Sequence, residues 1–315
     1  MKTIYFVPAF LLSMFLASCS TSDDETSVND GGRRLRQLTI AQVEDGAASR
    51  GAHLERTRAS LIENADGETL SASWTEGDRL TYCNLTCADA HFAGIASISG
   101  DLNATRSTPN ATIVGGVECA LDDRLALVYP AASFGYNNKQ VDGHYAARYT
   151  IDLRNQDGTL ETIAQRFHHV YGEVVVTGVD DNTASGTVRM ESLLTVCRFT
   201  FVDKANQDVL IPVRKLIVKY DLNDYEGKYP QTATLVAYPG YHAMTPDASD
   251  SALSIDVATS GTEAKEVYAA LLPIVDGRFV FTVVNDEGTY EGTAKATLNA
   301  GEFVPARLKL TKTNQ

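Results

Sequence analysis

No apolar run in this 315-residue chain reaches the ~20 residues that a helix needs to cross a bilayer. Positive charge is also scarce, with 27 Lys and Arg against 40 Asp and Glu, for a formal net charge of -13. Phosphate backbones are repelled by such a surface, so nucleic acid is not an expected partner. The chain has no Gly-x-Ser-x-Gly elbow, His-Glu-x-x-His pair, phosphate loop or dinucleotide fingerprint, so no reaction and no cofactor is expected. Nor is a metal expected. His168 and His169 are neighbours that diverge by about 100° on a helix. Asp221-x-Asn223-x-Tyr225 has its glycine, Gly227, one place late for a calcium loop and lacks the closing glutamate. Only five cysteines occur. Cys83 and Cys87 have loose zinc spacing with nothing to complete a site. Cys83, Cys87, Cys119 and Cys197 allow three disulfide pairings between which sequence cannot choose, although Cys197, in an apolar run, reads as a buried free thiol.

What is present begins with Lys2, an apolar region from Ile4 to Phe15, and Leu16-Ala17-Ser18-Cys19. That is the layout of a bacterial secretory signal ending in a lipobox. Residues 1–18 are expected to be removed, leaving Cys19 as a lipidated (palmitate-bearing) first residue, each buried methylene adding ~0.8 kcal/mol of anchoring. Residues 19–36 are polar, with the acidic cluster Ser22-Asp23-Asp24-Glu25, and read as a disordered tether.

Most of the remainder reads as strands, in short alternating or β-branched runs bounded by Gly, Asn, Asp and Pro. Leu38–Val43, Leu70–Trp74, Arg79–Asn84, Leu125–Tyr129, Tyr149–Leu153, Glu173–Val179 and Thr187–Glu191 are the runs of the first part. Val196–Val202, Leu216–Tyr220, Thr232–Tyr238, Leu253–Val257, Lys265–Leu272, Arg278–Asn285, Thr289–Leu298 and Ala306–Thr311 follow. Asp66-Gly67, Asp276-Gly277 and Asp286-Glu287-Gly288 signal tight turns. One helix is expected over Thr159–Tyr171, capped by Asp157 or Thr159 and ended by Gly172. The polar cluster Asp180–Gly186 suggests a boundary, giving domains 37–182 and 183–315. Trp74, at the end of an alternating strand, reads as a core anchor.

Several of these pieces, in order, resemble the fimbrillin family of Bacteroidales, the subunits of type V pili and their lipoprotein relatives. They are the lipobox, the arginines of residues 50–58, Trp74-Thr75-Glu76-Gly77-Asp78, Ala126-Leu127-Val128-Tyr129-Pro130-Ala131, Asn155-Gln156-Asp157-Gly158-Thr159-Leu160, Tyr171-Gly172, Leu271-Leu272-Pro273 and Leu298-Asn299-Ala300-Gly301-Glu302-Phe303. The resemblance implies an all-β fold of two tandem Greek-key, transthyretin-like β-sandwich domains, with one short helix in the first. It also implies assembly by strand exchange. An N-terminal strand, here Leu38–Val43 with Leu38, Ile40 and Val43 as its apolar side chains, plugs a groove until a trypsin-like protease cuts after an arginine. Arg50, Arg56 and Arg58 are the candidates for that cut. The implied partners are other fimbrillin-type subunits, the outer membrane through the Cys19 lipid, and a host or bacterial surface ligand. The implied location is the outer membrane facing the cell exterior, or a fimbrium. The chain stops four residues after Thr311, which favours a tip, anchor or accessory role over a mid-stalk one. Asp250-Ser251-Ala252 is similar to an O-glycosylation signal of Bacteroidetes, with Ser251 as acceptor. The alternative is a surface lipoprotein that captures glycans for uptake. A single tryptophan weighs against it, and fourteen tyrosines keep it open.

Overall fold

The computed structural model describes residues 32–42, 60–75, 78–87, 93–99, 107–108, 112–131, 134–141, 144–221, 227–248, 251–257 and 264–313. Cys19, Val43, Arg50, Arg56 and Arg58 lie outside them. The strands of the first part are β1 (Arg34–Gln42), β2 (Ser60–Glu63), β3 (Leu70–Thr75), β4 (Arg79–Asn84), β5 (Ala93–Ser99), β6 (Ser107–Thr108), β7 (Thr112–Cys119), β8 (Arg124–Tyr129), β9 (Phe134–Val141) and β10 (His144–Asp152). After α1 (Leu160–Thr162) come β11 (Val170–Val179), β12 (Thr183–Val188), β13 (Met190–Ser192), β14 (Thr195–Asp203), β15 (Lys215–Tyr220) and β16 (Thr232–Tyr238). The last are β17 (Tyr241–Pro246), β18 (Leu253–Asp256), β19 (Glu266–Leu271), β20 (Ile274–Asn285), β21 (Gly288–Leu298) and β22 (Phe303–Lys312). The fold is all-β, as expected, with sheets that form barrel-like sandwiches.

The first sheet closes on itself. Its order is β12–β1–β7–β5–β4–β8–β11, and β11 pairs back onto β12, with β13 added beside β11. Closure removes open edges. The barrel encloses one apolar core that includes Leu38, Ile40, Trp74, Leu80, Ile113, Leu125, Leu127 and Val174. Trp74 is fully buried and meets Tyr129 edge-on at 5.5 Å, the core anchor its position implied.

A second core lies beyond the wall β4–β8–β11. It is covered by the sheet β18–β15–β20–β21–β22–β14–β19, by the four-stranded sheet β17–β16–β10–β9, and by β2–β3. The continuous run Leu125-Ala126-Leu127-Val128-Tyr129 follows from this arrangement. Leu125, Leu127 and Tyr129 face the barrel core while Ala126 and Val128 face the second one. The two sequence halves therefore share a wall, and β10 from the first pairs with β16 from the second across six positions. The Asp180–Gly186 cluster is a hairpin turn inside the first sheet, where Asp180 N donates to Thr183 O at 2.9 Å. The chain leaves the first sheet for the last time after β13.

The Gln156-Asp157-Gly158 segment closes an edge. Gln156, buried, donates its amide to Ala270 O at 3.0 Å and accepts from Ala270 N at 2.8 Å. Gly158 O accepts from Tyr268 N at 2.9 Å, so a loop stands in for a neighbouring strand along β19. The expected helix is shorter than Thr159–Tyr171. Thr159 caps it, but after α1 a single wider turn over Ile163–Phe167 ends it, and Gly172 lies within β11. β-branched and aromatic Val170-Tyr171 enter the barrel wall instead, where Val170 pairs with Tyr129 and Tyr171 with Val128. Asp276-Gly277 also departs from expectation. It is a bulge within β20, with Asp276 at φ 53°, because the pairing of β20 with β21 resumes on both sides of it. Cys83, Cys87, Cys119 and Cys197 are all buried free thiols.

Between the two parts sits a buried polar pair. Tyr149 donates its hydroxyl to Pro130 O at 3.0 Å, and the same oxygen lies 3.1 Å from His169 Nδ1. Burial, with His168 adjacent, pushes the His169 imidazole down to about 3 from its ordinary 6.5. The unfolded chain binds a proton that the native site refuses between those values, so stability falls as pH drops through that window. From pH 7 to pH 5 this contributes a loss of about 2 kcal/mol. Urea unfolding at the two pH values should show that increment in the native chain and its absence in His169→Gln.

Candidate functional site

From Leu35 to Ile40 the residues of β1 alternate strictly between exposed and buried. Arg36, Leu38 and Ile40 point into the barrel and are buried, while Leu35 is 68% exposed on the outer face. β1 begins at Arg34, within the stretch whose composition suggested a tether, because its arginines find fixed partners there.

Two neighbours hold β1. It runs antiparallel to β7 through eight positions and parallel to β12 through six. Paired residues share a face, so the register shows what flanks each inward side chain. Leu38 lies between Gly115 and Ala184, and Ile40 between Ile113 and Gly186. Small residues on the flanking strands thus leave room for large side chains on β1. At Gly186 the space on the far side is already taken, since an added Cβ would stand 2.6 Å from Val174 Cγ1 and 2.7 Å from Val175 O.

The start of the strand is pinned by polar contacts. Arg33 donates to Asp123 with Nε at 2.8 Å and Nη2 at 2.6 Å. Asp123 is 2% exposed and sits in a tight turn, with Asp122 at φ 67°. Its Oδ2 also accepts from Asn84 Nδ2 at 2.8 Å and Ala120 N at 2.9 Å. Arg36, itself buried, donates to Asp180 O at 2.7 Å and to Cys119 O. Gln37 N donates to Asn182 O at 2.8 Å. Burial pushes up the Cys119 thiol in the barrel core, and pushes the Cys83 thiol in the second core up to about 12, so both sulfurs stay protonated and unreactive.

Of the residues singled out from sequence, Leu38 and Ile40 lie together in this groove, while Val43, Cys19, Arg50, Arg56 and Arg58 lie outside the described residues. Ser251 is exposed, on a bend before β18, far in sequence from β1. Its carbonyl accepts from Tyr229 N at 3.0 Å and its hydroxyl from Gln231 Nε2 at 3.0 Å. Among the described residues no group of three or more His, Cys, Asp or Glu could hold a metal ion. Sequence reading missed Arg33, Arg36, Asp123 and the small residues Gly115, Ala184 and Gly186. The one signal available was the basic run Arg33-Arg34-Leu35-Arg36 at the head of an alternating strand.

No family model and no curated protein matches the chain. Among solved structures, it is similar to a candidate cell adhesion protein from Bacteroides uniformis, with a TM-score of 0.50 at 14% identity over 90% of this chain and 94% of that one. A candidate cell adhesion protein from Bacteroides ovatus aligns with a TM-score of 0.49 at 12% identity over 89% and 96%. A fimbrial assembly protein from Parabacteroides distasonis aligns with a TM-score of 0.41 at 9% identity over 87% and 91%. The likeness to the Bacteroides uniformis protein is one of fold.

The register yields a test of the groove. Leu38→Ala should cost about 2–5 kcal/mol, since its pocket cannot collapse onto glycine and alanine. Thr39→Ala, on the outer face of the same strand, should stay within about 0.5 kcal/mol. Chemical denaturation of the two variants beside the native chain measures the difference.

Proposed function

We propose that this chain is a non-enzymatic, cell-surface fimbrillin-like pilus subunit that joins other subunits by strand exchange and acts in adhesion. Cys19 carries the lipid that holds it to the outer membrane, facing the exterior, and its place is at a tip, an anchor or an accessory position. The observation that carries this reading is the setting of β1: a single strand from the N-terminal side completes the barrel and fills pockets lined by small residues. If β1 left, the facing backbone groups of β7 and β12 would lose their partners, and a strand from another subunit would restore them. Main-chain hydrogen bonds then supply affinity and the Leu38 and Ile40 pockets supply specificity. A cut after Arg50, Arg56 or Arg58 would sever β1 from the body that it completes. The fold shared with the Bacteroides uniformis protein supports the reading without assigning the role.

Limited trypsin digestion should produce a stable fragment beginning just after one of these three arginines, followed by oligomers that survive detergent. Digestion that gives only monomers under every condition speaks against strand exchange.

One observation favours capture of glycans as a second reading. Tyr238 and Tyr241 stack at the β16–β17 turn with ring centroids 4.5 Å apart and planes 16° apart, and Tyr241 is 45% exposed. Flat aromatic faces of this kind suit sugar rings. Binding on a glycan array that disappears in Tyr241→Ala would support it, and a blank array removes it.

A further inference from the structure

We propose that Asp123 selects the strand that fills the barrel groove: the occupant must bring a cation to Asp123, at the place of Arg33, five residues ahead of the side chain in the Leu38 pocket. This rests on the strand-exchange reading and goes beyond it by stating the partner's chemistry.

Asp123 is held from two sides by the barrel itself and from the third by β1. Asn84 Nδ2 and Ala120 N are neutral donors that belong to the barrel. The cation comes from the strand: Arg33 grips both carboxylate oxygens, and its own side chain is only 17% exposed. A buried carboxylate facing a neutral or apolar side chain loses its charged partner and remains largely desolvated, a costly state. Arg36 adds a second requirement three residues on. Its guanidinium meets the carbonyls of Asp180 and Cys119, acceptors that an apolar side chain would leave facing nothing. The groove thus reads the order cation, two residues, cation, one residue, apolar, one residue, apolar.

The chain's own last strand does not satisfy that order. Laid in the direction of β1 with Leu310 in the Leu38 pocket, β22 puts Pro305 at Asp123, Leu308 at the Arg36 place and Lys312 in the Ile40 pocket. With Leu308 in the Leu38 pocket, Phe303 and Ala306 take the two cation places. A second copy offering β22 therefore leaves Asp123 without a charge partner, and among other subunits the fitting donor is one with a basic head on an alternating strand.

The test uses the full chain carrying an inserted specific protease site within residues 44–58. After cutting, a fluorescent peptide of residues 33–42 is allowed to exchange with the resident strand. Unlabelled peptides compete: the same sequence, its Arg33→Gln form, and residues 303–312. The native peptide should compete about 10- to 100-fold better than the Arg33→Gln form, the loss of one charge-assisted pair. The 303–312 peptide should compete more weakly than the native one. In an Asp123→Asn chain the preference for Arg33 should shrink to about threefold or less, since hydrogen bonding persists and the charge does not. Equal competition by all three peptides on the native chain overturns the proposal while leaving strand exchange standing. Uptake of no peptide overturns strand exchange itself, and the proposal with it.

Discussion

The barrel is closed by a strand that must be held on both sides at once. β1 satisfies the edge of β7 by antiparallel pairing and that of β12 by parallel pairing, so without it each edge stands open. Open edges with unpaired donors and acceptors invite pairing with another chain. The partners of β1 are also distant along the sequence, with Gln37 against Thr183 and Arg34 against Cys119. Contacts of that range carry a loop-closure cost before they contribute stability.

The rest of the molecule is arranged so that the barrel keeps its shape around that strand. The wall β4–β8–β11 has apolar side chains on both faces, one set toward the barrel core and one toward the second core. Its position is thus fixed by packing that does not involve β1. The loop at Gln156 and Gly158 adds a seam between the halves by bonding the free edge of β19. Both devices place stabilising contacts away from the groove. Leu38, Ile40 and the polar pins of Arg33 and Arg36 remain as the local forces that retain β1.

Much of this was legible in alternation. β15 and β16, and β1 over residues 38–42, are legible because one face of each is buried and the other is not, which is the pattern that a period of two reports. β5 and β7 escaped notice because Gly, Ser and Ala dilute their pattern, as in Ala93-Gly94-Ile95-Ala96-Ser97 and Val114-Gly115-Gly116. Gly115 is small because β5 occupies the volume, an added Cβ standing 3.0 Å from Ala96 Cβ, so information about β7 is stored in β5. The helix was overdrawn because Tyr171 falls in step with Leu160, Ile163 and Phe167, yet it is buried from a strand. Asp123 read as one more acid on an acidic surface. Nothing local distinguishes it from Asp122, and only the fold brings Arg33 to it from ninety residues away.

β1 and β22 look interchangeable in outline, each lying between one parallel and one antiparallel neighbour, but they are not equally free to leave. β22 pairs with β14 through eight positions and with β21 through two, and it buries Phe303 and Leu310 in the second core. Val304, Ala306 and Leu308 pack against that same core, so withdrawing β22 would strip five apolar side chains from it. Withdrawing β1 exposes the barrel core alone, and the wall behind it keeps its second face covered. The cost of opening is therefore concentrated in a few contacts at one groove: two apolar side chains, two arginines and a row of backbone pairs. In the proposed strand exchange, that concentration is what would let the groove retain its own strand while it stays covalently joined and yield it, once the joint is cut, to a strand that matches the same few contacts.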